Sequence, residues 1–205
     1  GVMLSHNNIV TNVIASKKRL PLGYFKAKAL SFLPLCHIYE RMLLYLYFFS
    51  GTKIYFAESL ETISENLNEV KPEFMTAVPR LLEKLFDKII AKGALLSGIK
   101  KKLFDWAVDL GLRYEPYGKN GWWYEFQLKI AQKLIFKKWQ KALGGNLTTI
   151  ASGSAALQPR LARVFTAAGM TIAEGYGLTE TSPVVSVNDM RNFQMRIGTV
   201  GPLLD

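Results

Sequence analysis

Short runs of apolar residues, separated by polar or turn-forming residues, recur along the chain and predict β-strands. Each run is too short for a helix and is bounded by charged residues, glycine or proline, as strands buried within a domain often are. The predicted strands cover residues 29–33, 53–57, 74–78, 148–152 and 171–174.

Between these runs, apolar residues recur at the three- and four-residue spacing of amphipathic helices. One helical pattern follows Ser59, a candidate N-cap; another follows Pro79; a third lies between Pro159 and Gly169, which suits a helix C-terminus. The apolar faces of these three patterns are Leu60, Ile63, Leu67 and Val70; Leu82, Leu85, Phe86 and Ile89; and Leu161, Val164, Phe165 and Ala168. Because strands and helices alternate, the chain is predicted to be an α/β protein with a mainly parallel sheet flanked by helices.

The interval 92–145 interrupts this alternation and is predicted to be a helical insertion. It contains two helical patterns and no convincing strand, and a cluster of turn-forming residues at 115–121 separates the patterns. A helical hairpin is the simplest arrangement. The predicted apolar faces are Leu103, Trp106, Ala107 and Leu110 on the first helix, and Trp123, Phe126, Ile130 and Leu134 on the second.

Charge is concentrated in the same part of the chain. Residues 92–141 carry 11 lysines or arginines against four acidic residues, an excess of +7 within a total of +10 for the chain, and all four tryptophans lie there. A solvated helix face over an ordinary core explains this composition most simply. Peripheral contact with an anionic membrane is the alternative, because indole rings beside lysines suit a lipid interface. No nucleic-acid-binding motif accompanies the charge, so nucleic acid is not expected as a partner.

Composition limits the class of protein. With 205 residues, 49% of them hydrophobic and 20% charged, the chain suffices for one sizeable core. Cys36 is the only cysteine, and the two histidines, His6 and His37, form no zinc motif, so neither a disulfide nor a zinc site is expected. No signal peptide or membrane-spanning run is evident, which predicts a cytoplasmic protein, with contact at the inner membrane face left open.

The segment 174–182, EGYGLTETS, combines the residue types of a nucleotide site. Tyr176 offers a flat aromatic surface, and the glycines on either side, Gly175 and Gly177, allow the backbone to approach a ligand closely. Thr179 and Glu180 offer oxygens that suit a phosphate and a hard cation. The segment reads as a strand that enters a glycine turn, and ligands of open α/β sheets bind beyond the carboxyl ends of strands.

This segment resembles the Y-G-x-T-E signature of adenylate-forming acyl-CoA synthetases, and three further segments support the resemblance. The N-terminal GVMLSHNN resembles the end of that family's phosphate loop, FLPLCHIYER at 32–41 resembles its L-P-[LM]-x-H block, and SGSAAL lies at 152–157. The E-R ending, at Glu40 and Arg41, is typical of long-chain fatty acid–CoA ligases. These segments occur in the family's order and extend over nearly the whole chain.

The resemblance implies that residues 1–205 are part of the large N-terminal AMP-binding domain of a long-chain fatty acid–CoA ligase. It implies an ATP-dependent activation of a fatty acid to an acyl-adenylate, followed by transfer to coenzyme A, with Mg²⁺ as cofactor. The family's phosphate loop would precede Gly1, and its ribose aspartate and C-terminal lysine would follow residue 205. An excised piece of this kind is expected to be inactive by itself.

The resemblance also assigns roles to individual residues, as catalytic groups or as contacts of the nucleotide. It implies that Glu180 holds Mg²⁺, that Thr179 binds phosphate oxygens and that Tyr176, between Gly175 and Gly177, packs on adenine. Gly153, Ser154 and Ala155 form the facing wall, and His37 lies beside the reacting carboxylate or along the acyl tunnel. Each assignment has a structural alternative. Glu180 could be a helix cap or part of an ion pair, and Tyr176 could be an ordinary core tyrosine. Residues 153–155 could form a simple turn, and His37 could be a capping or core histidine.

Two other functions remain open at the sequence level. An aryl- or peptide-synthetase type of adenylating enzyme is disfavoured by the E-R ending and by the helical insertion. A non-catalytic, basic lipid-binding module would place the function in the tryptophan- and lysine-rich insertion instead. Arg41 is expected to orient Glu40 rather than substrate, and His6 is expected to be structural.

Overall fold

The computed structural model describes residues 1–20, 22–23, 25–189 and 192–204 of the chain. Six strands form one sheet in the order β2-β1-β3-β4-β5-β6, in which the first five are parallel and β6 runs antiparallel to β5. The predicted α/β fold with a mainly parallel sheet is therefore confirmed. The strands are β1 Lys28–Ser31, β2 Lys53–Phe56, β3 Phe74–Ala77, β4 Thr149–Ser152, β5 Thr171–Gly177 and β6 Val184–Val187.

Helices cover both faces of the sheet. They are α1 His6–Arg19, α2 Ile38–Ser50, α3 Ile63–Val70, α4 Pro79–Ala94, α5 Gly98–Leu112, α6 Trp122–Ala131, α7 Lys137–Ala142 and α8 Pro159–Ala167, with a π-helical turn Gln132–Phe136 between α6 and α7 and a 3₁₀ turn Thr179–Thr181 after β5. Among the described residues, no helix has both the length and the apolar character needed to cross a bilayer.

The two sheet faces differ in the size of their side chains. Successive residues of a strand point to opposite faces. One face presents Leu30, Met75, Ile150 and Ile172 to the larger core, which α3 to α8 complete. The other face presents Ala29, Phe74, Ala151, Ala173 and Val187 to α1 and α2. Because three of these five residues are alanines, the α1/α2 side leaves more room above the sheet.

The five predicted strands are confirmed, but β6 was not predicted. Asn12 of α1 holds its first residue through two hydrogen bonds: the Asn12 amide nitrogen donates to the Val184 carbonyl at 2.8 Å, and the Val184 N–H donates to the Asn12 carbonyl oxygen at 3.2 Å. The side-chain amide of Asn12 thus pairs with the backbone N–H and carbonyl of Val184, as the backbone of an adjacent strand would. Since Asn12 lies 172 residues from Val184, local sequence carries no sign of this pairing.

The helix predictions are confirmed after Pro79 and Pro159 but wrong in detail after Ser59. Ser59 is not the N-cap, because α3 starts at Ile63 and Thr62 occupies the cap position. The two hydroxyl-bearing residues instead form a turn in which each backbone N–H donates to the other's side-chain oxygen, at 3.1 and 3.2 Å. Leu60 consequently lies outside the helix and is exposed.

Residues 92–145 contain helices and no strand, as expected, and every residue of this interval is described. The predicted face of α5 is confirmed, with Ala107 and Leu110 buried. The predicted face of α6 is wrong: Trp123, Phe126, Ile130 and Leu134 are exposed, whereas the buried residues are Tyr124, Leu128, Ala131 and Ile135.

A polar contact fixes this rotation of α6. The hydroxyl of Tyr124 donates a hydrogen bond of 2.6 Å to the Leu110 carbonyl at the end of α5, and the Trp106 indole donates to the Gln127 side chain at 3.3 Å. The helix is apolar on two opposite faces, so the spacing of its apolar residues is compatible with two rotations. The hydrogen bonds between α5 and α6 favour only one of them.

Candidate functional site

A cavity of about 330 Å³ opens at the carboxyl ends of β4 and β5, on the α1/α2 side of the sheet. Ala151 and Ala173 contribute to its floor, and α1 and α2 contribute one wall. Ligands of parallel sheets bind at this edge, and the volume is typical of a small-molecule site. The predicted site residues that line the cavity are His37, Gly153, Ser154, Gly175, Tyr176, Gly177, Thr179 and Glu180.

Ala155 is the one predicted site residue that does not line the cavity. It is exposed in the loop after β4. The preceding residues bring the backbone to the cavity: Gly153 is buried against the Tyr39 ring, where an added Cβ would lie 3.0 Å from the ring, and Ser154 has a φ of +70°. The turn therefore changes direction before Ala155 and leaves that side chain outside.

The glycines of the EGYG segment lie in a strand, which corrects the prediction of a glycine turn. Strand β5 continues to Gly177, and Tyr176 pairs with Ser186 of β6. A Cβ on Gly175 would lie 3.1 Å from the Ser186 carbonyl oxygen, and one on Gly177 would lie 2.7 Å from the Pro183 carbonyl carbon. The glycines thus permit the close approach of β6. Tyr176 lies between them and is half-exposed at the cavity.

Thr179 and Glu180 belong to the 3₁₀ turn that follows β5, and both are exposed on the cavity rim. Thr181 stabilises this turn, since its hydroxyl accepts a 2.8 Å hydrogen bond from the Leu178 N–H. Within the described parts of the chain, Glu180 has no ion-pair partner, so the geometry offers no cap or ion pair to account for its carboxylate.

The carboxylate of Glu180 suits Mg²⁺ as a single protein ligand. No group of three or more His, Cys, Asp or Glu residues among the described residues could form a complete metal cage. Magnesium commonly uses one or two carboxylates, and waters and substrate phosphates complete its octahedron. An exposed carboxylate on a cavity rim, without an ion-pair partner among the described residues, is the type of ligand that such partial coordination would use.

His37 occupies the N-cap position of α2, but its side chain makes no capping hydrogen bond and is exposed. It is therefore neither a capping nor a core histidine in this structure. It lies where the cavity meets a second, mainly apolar groove of about 700 Å³ between α1 and α2, and Thr179 lines both spaces as well. The apolar lining of this groove includes Leu4, Ile9, Val13, Ile14, Tyr45 and Phe49.

Glu174 of β5 forms a hydrogen bond to the loop that follows β4, a contact that was not predicted from the sequence. Its buried carboxylate accepts a 3.1 Å hydrogen bond from the Leu157 N–H, at the end of the loop after β4. Burial raises the pKa of Glu174, and the Leu157 hydrogen bond opposes this effect. The loop that contains Gly153 is thereby connected to the strand that carries Tyr176.

Two residues that were not predicted as site residues also line the cavity. Tyr39 and Ser152 line the cavity, and within the described residues their buried hydroxyls have no hydrogen-bond partner. Buried polar atoms are usually paired, so these two hydroxyls are exceptions among the described residues. Their signal was present in the sequence, because Tyr39 belongs to FLPLCHIYER and Ser152 begins SGSAAL.

Glu40 points away from Arg41, which corrects the expectation that Arg41 orients it. Glu40 is buried and accepts a hydrogen bond from the Ser31 hydroxyl, whereas Arg41 is exposed. No ion pair joins these two residues, both of which lie in the described part of the chain. Burial raises the pKa of Glu40, and the Ser31 hydrogen bond opposes that rise.

The replacement Glu40→Gln is expected to flatten the dependence of stability on pH. The folded state retains the Glu40 proton up to a higher pH than the unfolded chain does. The free energy of unfolding therefore falls as pH rises from the ordinary glutamate pKa of about 4.3 to the raised pKa. Glutamine lacks this proton, so the variant gains stability relative to the wild type as pH rises through that window.

Urea unfolding of the full-length protein across this pH range tests the prediction, with exposed Glu65→Gln as the control. Parallel pH profiles for Glu40→Gln and the wild type would contradict it.

Comparison with known proteins places these features in a family context. The sequence profile of AMP-binding enzymes matches residues 1–205. Long chain acyl-CoA synthetase 6, peroxisomal, from Arabidopsis thaliana is 30% identical over 207 residues, which are 98% of this chain and 28% of that protein. The long-chain-fatty-acid–CoA ligase ACSBG2 of Xenopus laevis is 35% identical over 191 residues, 89% of this chain and 26% of that protein.

Solved structures show the same fold. A long-chain-fatty-acid-CoA ligase (FadD1) from Archaeoglobus fulgidus matches 100% of this chain and 34% of its own, with a TM-score of 0.66 and 18% identity. The N-terminal domain of FACL13 from Mycobacterium tuberculosis matches 100% of this chain and 40% of its own, with a TM-score of 0.66 and 14% identity. The o-succinylbenzoate coenzyme A synthetase of Bacillus subtilis, solved with ATP and magnesium ion, gives 0.62 at 14% identity. The chain spans about a quarter to a third of the curated relatives' length.

Proposed function

Because the chain belongs to the family of AMP-binding enzymes, we propose that the full-length protein activates a long-chain fatty acid with ATP and transfers the acyl group to coenzyme A. One observation carries this proposal: Tyr176 and Glu180, an aromatic ring and an unpaired carboxylate on adjoining parts of one segment, face the same cavity. Relatives with 30% and 35% identity are named as long-chain acyl-CoA synthetases or ligases.

The proposed reaction has two steps. A carboxylate oxygen of the fatty acid attacks the α-phosphorus of ATP, and the bond to pyrophosphate breaks. The sulfur of coenzyme A then attacks the acyl carbonyl carbon, its proton is lost, and AMP leaves. The first step brings a carboxylate against a triphosphate, so it depends mainly on positioning and on stabilisation of negative charge.

The nucleotide is proposed to bind along the segment that ends β5. The half-exposed ring of Tyr176 provides a face for the adenine base, because stacking needs an aromatic surface open to the ligand. The turn after β4 supplies backbone at Gly153 and Ser154 on the facing side, where small residues leave space for a flat base. Ala155 is not part of this proposal, since it lies outside the cavity.

The phosphates are proposed to lie near the 3₁₀ turn. In this proposal the Thr179 hydroxyl donates to a phosphate oxygen and Glu180 holds Mg²⁺ at the rim; both residues belong to the 3₁₀ turn and line the cavity. When bound, magnesium would neutralise charge on the phosphates and so favour attack by another anion.

The acyl chain is proposed to occupy the apolar groove between α1 and α2. The groove meets the nucleotide cavity at His37 and Thr179, so a fatty acid lying in it would direct its carboxylate towards the phosphates. An imidazole at this junction can donate a hydrogen bond to the carboxylate. The groove's volume of about 700 Å³ favours a long alkyl chain over a single aromatic ring.

A substrate panel tests the proposal. The full-length protein should release pyrophosphate from ATP in the presence of long-chain fatty acids, and should form the acyl thioester when coenzyme A is added. Short-chain, aromatic and amino acids serve as the comparison. A preference for aromatic or amino acids would instead favour the aryl- or peptide-synthetase alternative, and absence of acid-dependent pyrophosphate release would contradict adenylation altogether.

A further inference from the structure

Helix α6 has an apolar face that the described residues leave uncovered. Opposite the buried side chains of this helix, Trp122 is 79% exposed, Trp123 57% and Phe126 51%. Ile130 and Leu134 extend the row into the π-helical turn, with 38% and 45% exposure. We name these five residues the outer face.

The outer face differs from the solvent side of an ordinary helix. A surface helix normally turns charged and polar residues towards water, and contiguous exposed apolar patches mark interaction sites. The aromatic rings are also packed together: Trp123 stacks on Phe126 with centroids 5.6 Å apart, and Trp122 meets Trp123 edge to face at 5.6 Å. The face is therefore a defined aromatic surface rather than scattered side chains.

Unpaired lysines accompany the outer face. Lys129, Lys133 and Lys137 are exposed at four-residue intervals along α6, the π-helical turn and the start of α7. Within the described residues none of them forms an ion pair. Three of the four acidic residues of the interval are already paired elsewhere, in Lys101–Asp105, Arg113–Asp109 and Arg163–Glu115. The fourth, Glu125, is the only acidic residue of α6, so the positive charge beside the aromatic row is offset only in part by residues of the interval.

The outer face continues into an apolar groove of about 630 Å³ between α4, α5 and α7. Leu134 belongs to both, and Leu85, Leu103 and Phe104 line the groove further in. Four exposed lysines also line it, namely Lys88, Lys92, Lys100 and Lys138. The combination of apolar and cationic surface therefore extends beyond α6.

We propose that the outer face docks onto a bilayer that contains anionic phospholipids. Helix α6 would lie along the membrane surface, with its indole rings at the level of the headgroups and its lysines against the lipid phosphates. Tryptophan favours this interfacial region, and basic residues near the surface are attracted to anionic lipids. Exposure to water alone would leave the aromatic row without an apolar partner. A purely polar, acidic protein surface would pair with the lysines but would likewise leave the rings without an apolar partner.

Vesicle cosedimentation of the full-length protein tests this proposal independently of any catalytic activity. The probes are vesicles of phosphatidylcholine alone and of phosphatidylcholine mixed with phosphatidylglycerol. The protein is expected to sediment with the mixed vesicles, to bind the neutral ones more weakly and to lose affinity as salt is raised, because salt screens surface charge. Tryptophan fluorescence should be quenched by brominated lipid in the mixed vesicles.

Two sets of variants distinguish membrane binding through the outer face from a general effect of positive charge or of exposed apolar side chains. The triple change Lys129→Gln, Lys133→Gln and Lys137→Gln should weaken binding by about fivefold per lysine, or about 10² in all. Its matched control is the triple change Lys26→Gln, Lys53→Gln and Lys84→Gln, which removes the same charge from exposed positions elsewhere. The pair Trp122→Ser and Trp123→Ser should also release the protein, unlike the exposed control pair Phe48→Ser and Leu60→Ser.

Three results would overturn the proposal. The first is a wild-type protein that stays in the supernatant with mixed vesicles, which would indicate that another segment of the protein covers the outer face. The second is an equal loss of vesicle binding in the two triple lysine variants, which would indicate that only the net charge of the protein matters. A stable dimer that Trp122→Ser and Trp123→Ser convert to monomers, without vesicle binding, would assign the face to a second copy of the protein.

Discussion

Replacement of Glu180 with glutamine is expected to lower the rate of adenylate formation by the full-length protein by about 10² to 10³, the usual effect of losing one preorganised electrostatic group. Glutamine keeps the shape of the side chain but removes the charge that would hold Mg²⁺. The free energy of unfolding should not change, because Glu180 is exposed and has no ion-pair partner among the described residues.

The measurement is pyrophosphate release at saturating fatty acid, as a function of ATP and Mg²⁺ concentration. Glu69→Gln is the matched control, because it removes one exposed carboxylate from α3, remote in sequence from the site segment. If Glu180→Gln retains wild-type activity at every Mg²⁺ concentration, Glu180 does not hold the metal.

Gly177→Ala is expected to lower the free energy of unfolding by about 1 to 3 kcal/mol and to reduce adenylate formation severely. An added Cβ would lie 2.7 Å from the Pro183 carbonyl carbon, and closer still to its oxygen. The obstacle is backbone and cannot rotate away, so β6 must move from β5. That movement would displace Tyr176 and the turn that carries Glu180.

A series of glycine variants tests this steric explanation through urea unfolding and pyrophosphate release. Gly175→Ala should have a smaller effect, because its Cβ would lie 3.1 Å from the Ser186 carbonyl oxygen. Gly23→Ala should be close to neutral, since nothing lies within 4 Å of the added atom. Equal losses across the series would contradict the explanation, as would a stable and fully active Gly177→Ala protein.

The parts of the fold that could be predicted from sequence are those in which local pattern and tertiary environment agree. Strands such as β3 and β4 are buried on both faces and therefore appear as short apolar runs. Helices α4 and α8 begin at Pro79 and Pro159, and proline is favoured in the first turn of a helix. Strand β6 was missed because its register depends on Asn12, far away in the chain.

The site divides in the same way. The residues from Gly175 to Glu180 could be identified together because they are contiguous and chemically distinctive. Tyr39 and Ser152 lie in segments that resemble the family, but their place in the cavity lining depends on how α2 and β4 come together in the fold. The face of α6 was predicted wrongly because both of its sides are apolar, and only its packing against α5 distinguishes them.

Because the two faces of the sheet carry side chains of different size, the residues that stabilise the fold are different from those that shape the cavity. Leu30, Met75, Ile150 and Ile172 supply bulk to the larger core, so replacing them would weaken the whole molecule. Ala151 and Ala173 lie back to back with that layer and set the depth of the cavity floor. Adaptation to a ligand of another size can therefore proceed by exchanging small side chains on one surface, while the opposite surface keeps the scaffold unchanged.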